Sequence, residues 1–247
     1  MKRLFLYILI GLILFSLFPG CGPKTTKIRV ATTAIWSPFE YVNEKTGEIE
    51  GFDIDLFKAI AEKEGFDVEF INIGWDPLLA GMAQCLYDAA ISSITITEER
   101  KKNMLFSVPY FNAGQIVTVR KENTDITGKD ALGGKVVGAQ FGTTGSFAVE
   151  KMKNVTLKTY DEIAWAYEDL MNGKIDAVVA DNPFAIAYVG EHAGRLKIVG
   201  DVFTDEMYGI AVCKTEPDLL AKINSGLQAV KEEGVIERLV EKWLSSQ

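Results

Sequence analysis

Short apolar runs alternate with helix-period stretches along most of the chain, which predicts a mixed α/β architecture. Residues 27–32 (Lys-Ile-Arg-Val-Ala-Thr) alternate and are β-branched, so they read as a strand. Residues 53–64 carry Leu56, Phe57, Ile60 and Ala61 at helical spacing and stop at Gly65. Residues 68–73 form a second predicted strand, and Asp76-Pro77 then opens a helix with Asp as N-cap and Pro at the first helical position. Residues 89–92 make a buried strand, and short strand-like runs follow at 104–111 and 115–120.

Beyond Asp130 the alternation restarts, with predicted strands at 135–140, 155–159, 175–180, 196–199 and 208–212. Between them lie a helix over 147–152, one capped by Asp161, and one opened by Asp181-Asn182-Pro183. Two helices, 217–231 and 235–244, close the chain. An internal echo links Trp75-Asp76…Asp88-Ala89-Ala90 to Tyr160-Asp161…Asp176-Ala177-Val178: a capped helix runs into a strand, and a polar loop follows. Two α/β lobes of this kind bind ligand in the crevice at their strand ends.

The first residues follow a different pattern. Lys2 and Arg3 precede an apolar run to Phe18, followed by Pro19-Gly20-Cys21, the order of a secretory signal peptide over residues 1–20. A Cys directly after Gly at that point resembles a lipoprotein signal, so Cys21 is the expected lipidation site and 21–27 a short tether. The remainder of the 247 residues suits one large domain or two lobes. A net charge of -8 argues against nucleic acid. Cys85 and Cys213 fit a disulfide or two buried thiols equally well.

Three polar loops stand at predicted strand ends: 92–100, 140–146 and 181–182. In the first, Ser92, Ser93 and Thr95 lead to a helix start at Thr97, with Arg100 one turn inside and able to fork onto a carboxylate. The second, Gln140 to Ser146 with Thr143 and Thr144, is Gly-rich and lacks the Lys of a nucleotide-binding loop. The third offers Asp181, either as a helix cap or as the partner of an ammonium. Together these groups suit an α-amino acid zwitterion. Trp36, Phe39 and Trp75 lie in loops and can wall a pocket or pack beneath it. Catalytic readings fare poorly, because His192 is the one histidine and no His/Cys cluster has metal-ligand spacing.

Five motifs then carry a resemblance: Pro38-Phe39-Glu40-Tyr41, Gly51-Phe52-Asp53-Ile54-Asp55-Leu56, Ile94 to Lys101, Gly142-Thr143-Thr144-Gly145, and Asp176-Ala177-Val178 with Asp181. From Lys27 to Leu244 the chain resembles the extracellular solute-binding proteins that feed polar amino acids to bacterial ABC transporters. The resemblance implies a type II periplasmic-binding-protein fold: lobe 1 from 28–109 plus 210–247, lobe 2 from 115–204, and hinge strands at 110–114 and 205–209. It implies that Arg100 clamps the α-carboxylate with Thr95 and Thr144, while Asp181 and Ser93 hold the α-ammonium. Trp36 and Trp75 stand where the family sandwiches the ligand side chain, with Ser92 and Thr143 beside them.

Thr33 stands where relatives often carry Asp, and Gln140 where glutamine binders carry Lys, so Glu40 is left as the counter-charge. Arginine or lysine is therefore favoured over glutamine. A cyclohexadienyl-dehydratase-like enzyme on the same fold is the rival class, and a membrane-bound sensor module the third. No cofactor is expected. The implied partners are a free amino acid, a transporter permease and, through Cys21, the outer face of a membrane, for a monomer.

Overall fold

A computed structural model describes residues 27–244; the expected signal peptide and Cys21 lie outside the described residues. In chain order the first half comprises β1 (Ile28–Thr32), β2 (Ile35–Trp36), β3 (Glu40–Val42), β4 (Ile49–Glu50), α1 (Phe52–Glu64), β5 (Val68–Asn72), α2 (Trp75–Ala83), β6 (Ala89–Ala90), α3 (Glu98–Lys101) and β7 (Leu105–Phe106). There follow β8 (Phe111–Ala113), β9 (Gln115–Arg120), β10 (Val136–Gln140), α4 (Thr144–Glu150), β11 (Thr156–Tyr160), α5 (Ile163–Met171), β12 (Ala177–Asp181), α6 (Asn182–Glu191) and β13 (Leu196–Val199). The chain closes with β14 (Glu206–Tyr208), β15 (Ala211–Val212), α7 (Pro217–Glu232) and α8 (Val235–Leu244).

Two five-stranded sheets organise these elements, ordered β5-β1-β6-β15-β7 and β11-β10-β12-β9-β13. In each, three parallel strands are joined on one side by antiparallel neighbours. The echo read from the sequence is therefore topological. The connection leaving β1 runs to β5 on one side while that leaving β6 runs to β7 on the other, and likewise β10 leads to β11 and β12 to β13 on opposite sides. The carboxyl ends of β1 with β6, and of β10 with β12, are the switch points where such sheets bind ligands. The chain passes between the sheets along β8 and β14, which pair antiparallel with Phe111 opposite Tyr208.

The first lobe's core is built where α1 lays Leu56, Phe57 and Ile60 against Ile223, Leu227 and Val230 of α7. Gly226 permits that approach, since a Cβ there would stand 2.9 Å from Ile60. Cys85 and Cys213 form a disulfide across 128 residues, joining the segment after α2 to the end of β15.

Several local expectations change. The α2 helix begins at Trp75 with Gly74 as N-cap, so Asp76 lies inside the first turn and Pro77 is its third residue. Asp161 does not cap α5, which starts after Glu162. The helix expected over 147–152 starts three residues earlier, because the Thr143 hydroxyl accepts from Ser146 N–H and caps it. The strand expected over 208–212 is two strands, divided at Gly209-Ile210 where the chain moves from hinge to sheet. Phe39 is a core residue, edge-on to Phe52, Phe111 and Tyr208.

Candidate functional site

The twelve residues named from the sequence converge on one cavity, and they account for its whole lining. The reason is topological. Thr33 follows β1, Ser92, Ser93 and Thr95 follow β6, Gln140 ends β10 with Thr143 and Thr144 after it, and Asp181 ends β12. Trp36 and Glu40 come from the β2–β3 hairpin, Trp75 from the start of α2, and Arg100 from α3.

Arg100 is buried, with its backbone N–H capped by the Thr97 hydroxyl at 3.1 Å. Nη1 donates to Thr95 O at 2.8 Å, and Nη2 reaches across the cleft to Gly142 O at 3.3 Å. The guanidinium carbon stands 5.1 Å from the Trp75 ring centroid, within cation–π range. Burial lowers its pKa to about 10, against the pull of Asp181 and Glu206, so it remains a cation at neutral pH.

Asp181 occupies the N-cap position of α6, but its carboxylate does not cap the helix. It turns inward, accepting from Gln115 Nε2 at 2.7 Å and Tyr208 Oη at 2.6 Å. Burial, then the nearby Glu206 charge, raises its pKa to about 6. An ammonium beside it would reverse that penalty.

The hydroxyls divide by role. Ser92 Oγ donates to Glu40 Oε1 at 3.0 Å and accepts from Thr33 N–H. Thr95 and Thr144 hydroxyls both donate to Glu206 Oε2, at 2.9 and 2.7 Å. Thr143 Oγ1 donates to Gln140 O while capping α4, so its hydroxyl is committed locally. Gln140 is held by Nε2 donating to Asp161 O at 3.0 Å. Ser93 sits at φ 49°, a left-handed conformation costly for a non-glycine residue. That turn points its N–H at Asp53 Oδ2, 2.7 Å away.

Trp36 stacks on Phe184 of α6 with centroids 4.1 Å apart, bridging the lobes. Its Nε1, that of Trp75 and the Thr33 Oγ1 are buried without a hydrogen-bond partner. Such orphans are costly, and three at one cavity mark a place built for a polar guest. Among the described residues no His/Cys/Asp/Glu group could hold a metal ion.

Reading the sequence missed Asp53, Gln115, Glu206 and Tyr208, none of which lines the cavity though each bonds to a residue that does, or shares its carboxyl with one. Asp53 lies in a first helical turn, where acids ordinarily complement the helix dipole. Its inward orientation was visible only as its offset from Asp55, which faces outward to Lys242 and Trp243.

Two α/β lobes joined by paired strands, with a polar cavity where their strand ends meet, define a hinged solute-binding protein. Residues 28–246 match the model for bacterial extracellular solute-binding proteins, family 3, and the chain belongs to that family. It is 34% identical over 234 residues to a probable histidine-binding protein of Neisseria gonorrhoeae, covering 93% of this chain and 87% of that protein. It is similar to the solved arginine-, lysine-, histidine-binding protein ArtJ of Geobacillus stearothermophilus, at 37% identity and TM-score 0.84 over 90% of this chain and 96% of the other. An ancestral arginine-binding protein, solved with arginine bound, is 43% identical with TM-score 0.84, covering 88% of this chain and 97% of that one. An ancestral arginine-binding protein is also solved with glutamine bound, at 43% identity and TM-score 0.83. The fold is the type II periplasmic one of these proteins. No helix among the described residues is long and apolar enough to cross a membrane.

Proposed function

We propose that this chain captures a basic amino acid, arginine or lysine, outside the cytoplasm and delivers it to an ABC transporter permease. The observation that carries the reading is Glu40. It is a buried carboxyl on the cavity wall, hydrogen-bonded to Ser92 and Ser93 and to no cationic side chain. A ligand cation is the partner it lacks.

The remaining roles are those the family resemblance implies, supported by the shared cavity lining. Arg100 takes the α-carboxylate, with Thr95 and Thr144 beside it and their hydroxyl protons held by Glu206; Asp181 and Ser93 take the α-ammonium. Trp36 and Trp75 flank the side chain, and their unpartnered Nε1 groups, with Thr33 Oγ1, are available to polar atoms of the guest. Gln140, neutral and anchored to Asp161, places no repelling charge there. Ligand touching both lobes at once stabilises the closed state by its differential affinity. The lobes are 28–109 with 210–247, and 115–204, hinged at 110–114 and 205–209; the paired β8 and β14 support that division. A lipid anchor at Cys21 would hold the monomer at the membrane face.

Relatives named for histidine and for arginine, lysine and histidine support a basic side chain, while others are named for cystine and glutamine. Glutamine is the second reading, favoured by the glutamine-bound ancestral structure. Titration calorimetry of refolded, ligand-stripped protein separates them: arginine or lysine is expected to bind tightest, and glutamine binding far tighter than both overturns the proposal. Incubation with prephenate or arogenate, expected to give no turnover, tests the enzyme class.

A further inference from the structure

Behind Glu40 lies a second carboxyl that the cavity does not expose. Gly51, at φ 133°, lets the chain cross the hairpin so closely that a Cβ there would stand 2.1 Å from Phe39 O. That approach lets Phe52 and Asp53 donate their N–H groups to Pro38 O and Phe39 O at 3.1 and 2.9 Å. Asp53 is thereby set beside Glu40: Ser93 bonds both, its N–H to Asp53 Oδ2 at 2.7 Å and its hydroxyl to Glu40 Oε2 at 3.5 Å, and the two carboxyls act on each other directly. Both are buried, at 0% and 1% exposure.

The surroundings supply donors but no positive charge. Asp53 Oδ2 accepts from Ser93 N–H and from Tyr110 Oη at 2.8 Å. Glu40 accepts from the Ser92 and Ser93 hydroxyls, and Tyr208 also faces it. Arg100 directs its charge to Asp181 and Glu206 instead. Asp53 Oδ1 has no donor. Two buried like charges in contact cannot both persist without a cation, and a proton between them supplies a missing donor. Burial and the Asp53 charge push Glu40 well above the usual carboxylate range, and burial pushes Asp53 up to about 7.

We propose that Glu40 and Asp53 act as one proton-sharing carboxyl pair, and that Asp53, from outside the cavity, sets the preference for a cationic side chain by making its capture release a proton. This rests on the reading that Glu40 meets the side chain of the ligand. In the free protein the pair holds a proton in an O–H···O bond from Glu40 to Asp53. A guanidinium or ammonium brings donors only. As it seats on Glu40, that O–H bond breaks, the proton passes to the buffer, and the cation takes its place; no electrons change hands. A neutral carboxamide or ureido side chain binds with the proton retained. Preference for the cation therefore rises with pH, up to about tenfold per pH unit for one proton.

Calorimetry of the ligand-stripped chain tests this with L-arginine and its neutral isostere L-citrulline, at about pH 7 where Asp53 titrates. Each ligand is titrated in buffers of different ionisation enthalpy. Both carry the same zwitterionic head, so any proton exchanged at Asp181 cancels between them. The expected result is a buffer-dependent enthalpy for arginine, approaching one proton released, with little for citrulline beyond the shared head. In Asp53→Asn the difference shrinks, and the arginine preference loses its pH dependence near neutrality. Tight arginine binding with no more proton release than citrulline overturns the pair while leaving the proposed function intact. So does an Asp53→Asn protein that releases as much as wild type. If Asp53→Asn does not fold, or citrulline does not bind, the arginine buffer slope of wild type followed across pH decides: a slope that stays at zero through neutrality overturns the proposal. Failure of arginine and lysine to bind at any pH overturns the functional reading and this one together.

Discussion

The Thr95 and Thr144 hydroxyls, one from each lobe, lie 3.5 Å apart and donate to the same oxygen of Glu206. Glu206 belongs to the hinge strand β14, so a hinge carboxylate gathers one group from each side of the cleft. Thr204 holds its other oxygen at 2.8 Å. The two lobes are thus tied together at the hinge as well as at the cavity. Thr144→Val keeps the volume but removes one donor to a charged group, a loss of about 1.5–3 kcal/mol in the closed state. The expected outcome is amino-acid affinity weakened by about tenfold to a hundredfold. Glu206→Gln, which leaves the lining unchanged, is expected to weaken it by about tenfold. Calorimetry of both variants checks this, and unchanged affinity in both would show that the contact does not report closure.

Arg100 carries the largest single expectation. Its guanidinium is already oriented by Thr95 O and the Trp75 face, so little ordering remains to be done when a carboxylate arrives. Arg100→Ala would leave that carboxylate desolvated and unpaired, costing about 2–5 kcal/mol. Affinity is expected to fall by about thirtyfold or more. Near-wild-type affinity would mean that the carboxylate sits elsewhere.

The disulfide predicts a separation of stability from binding. It closes a 128-residue loop, and in the chain-entropy view such a loop restrains the unfolded state by about 4–5 kcal/mol, with about 2–4 typical of measured cases. Cys85 follows the far end of α2 from Trp75, about 13 Å along a nine-residue helix. Reduction, or paired Cys85→Ser and Cys213→Ser replacement, is expected to lower the unfolding midpoint while leaving ligand affinity within about twofold. Denaturant titration with and without reductant measures the first, calorimetry the second.

How much of this was legible along the chain depended on where the information resides. The cavity residues follow strands and precede helices, so small hydroxyls, glycines and one arginine in short loops announce a strand-end site locally. Thr144, Arg100 and Asp181 could be read that way. Gln115 and Glu206 could not, because each sits in an ordinary strand and acquires its role from a partner 66 or 111 residues away. Asp53 looks like a dipole-complementing acid until the Gly51 crossing turns it inward. The disulfide likewise needs the packing of β15 beside β6 to bring its halves together. Helix starts shifted by a residue or more wherever backbone geometry, as at Gly74, took the cap that a side chain was expected to supply.

A pH dependence of folding follows from the same buried carboxyls. Glu40, Asp53 and Asp181 are all raised above their unfolded values, chiefly by burial. The native chain therefore binds more protons than the unfolded one between about pH 4 and the folded pKa values, and stability falls as pH rises through that window. The contribution is fully present below about pH 4 and is lost through about 6 for Asp181 and about 7 for Asp53. Asp169 acts in the opposite sense: hydrogen bonds from Lys158, Lys174 and Tyr160 hold its carboxyl low, and that contribution disappears as pH falls. Ligand-free protein is accordingly expected to be most stable on the acid side of neutrality and to weaken toward pH 8 by at most about 1.4 kcal/mol per pH unit for each proton kept. Saturating ligand should flatten the decline, since its cations compensate the carboxylates that ionise. Denaturant titrations across pH, with and without ligand, measure both slopes. A ligand-free stability that rises from pH 5 to 8 would mean that these carboxyls are solvated or paired in solution.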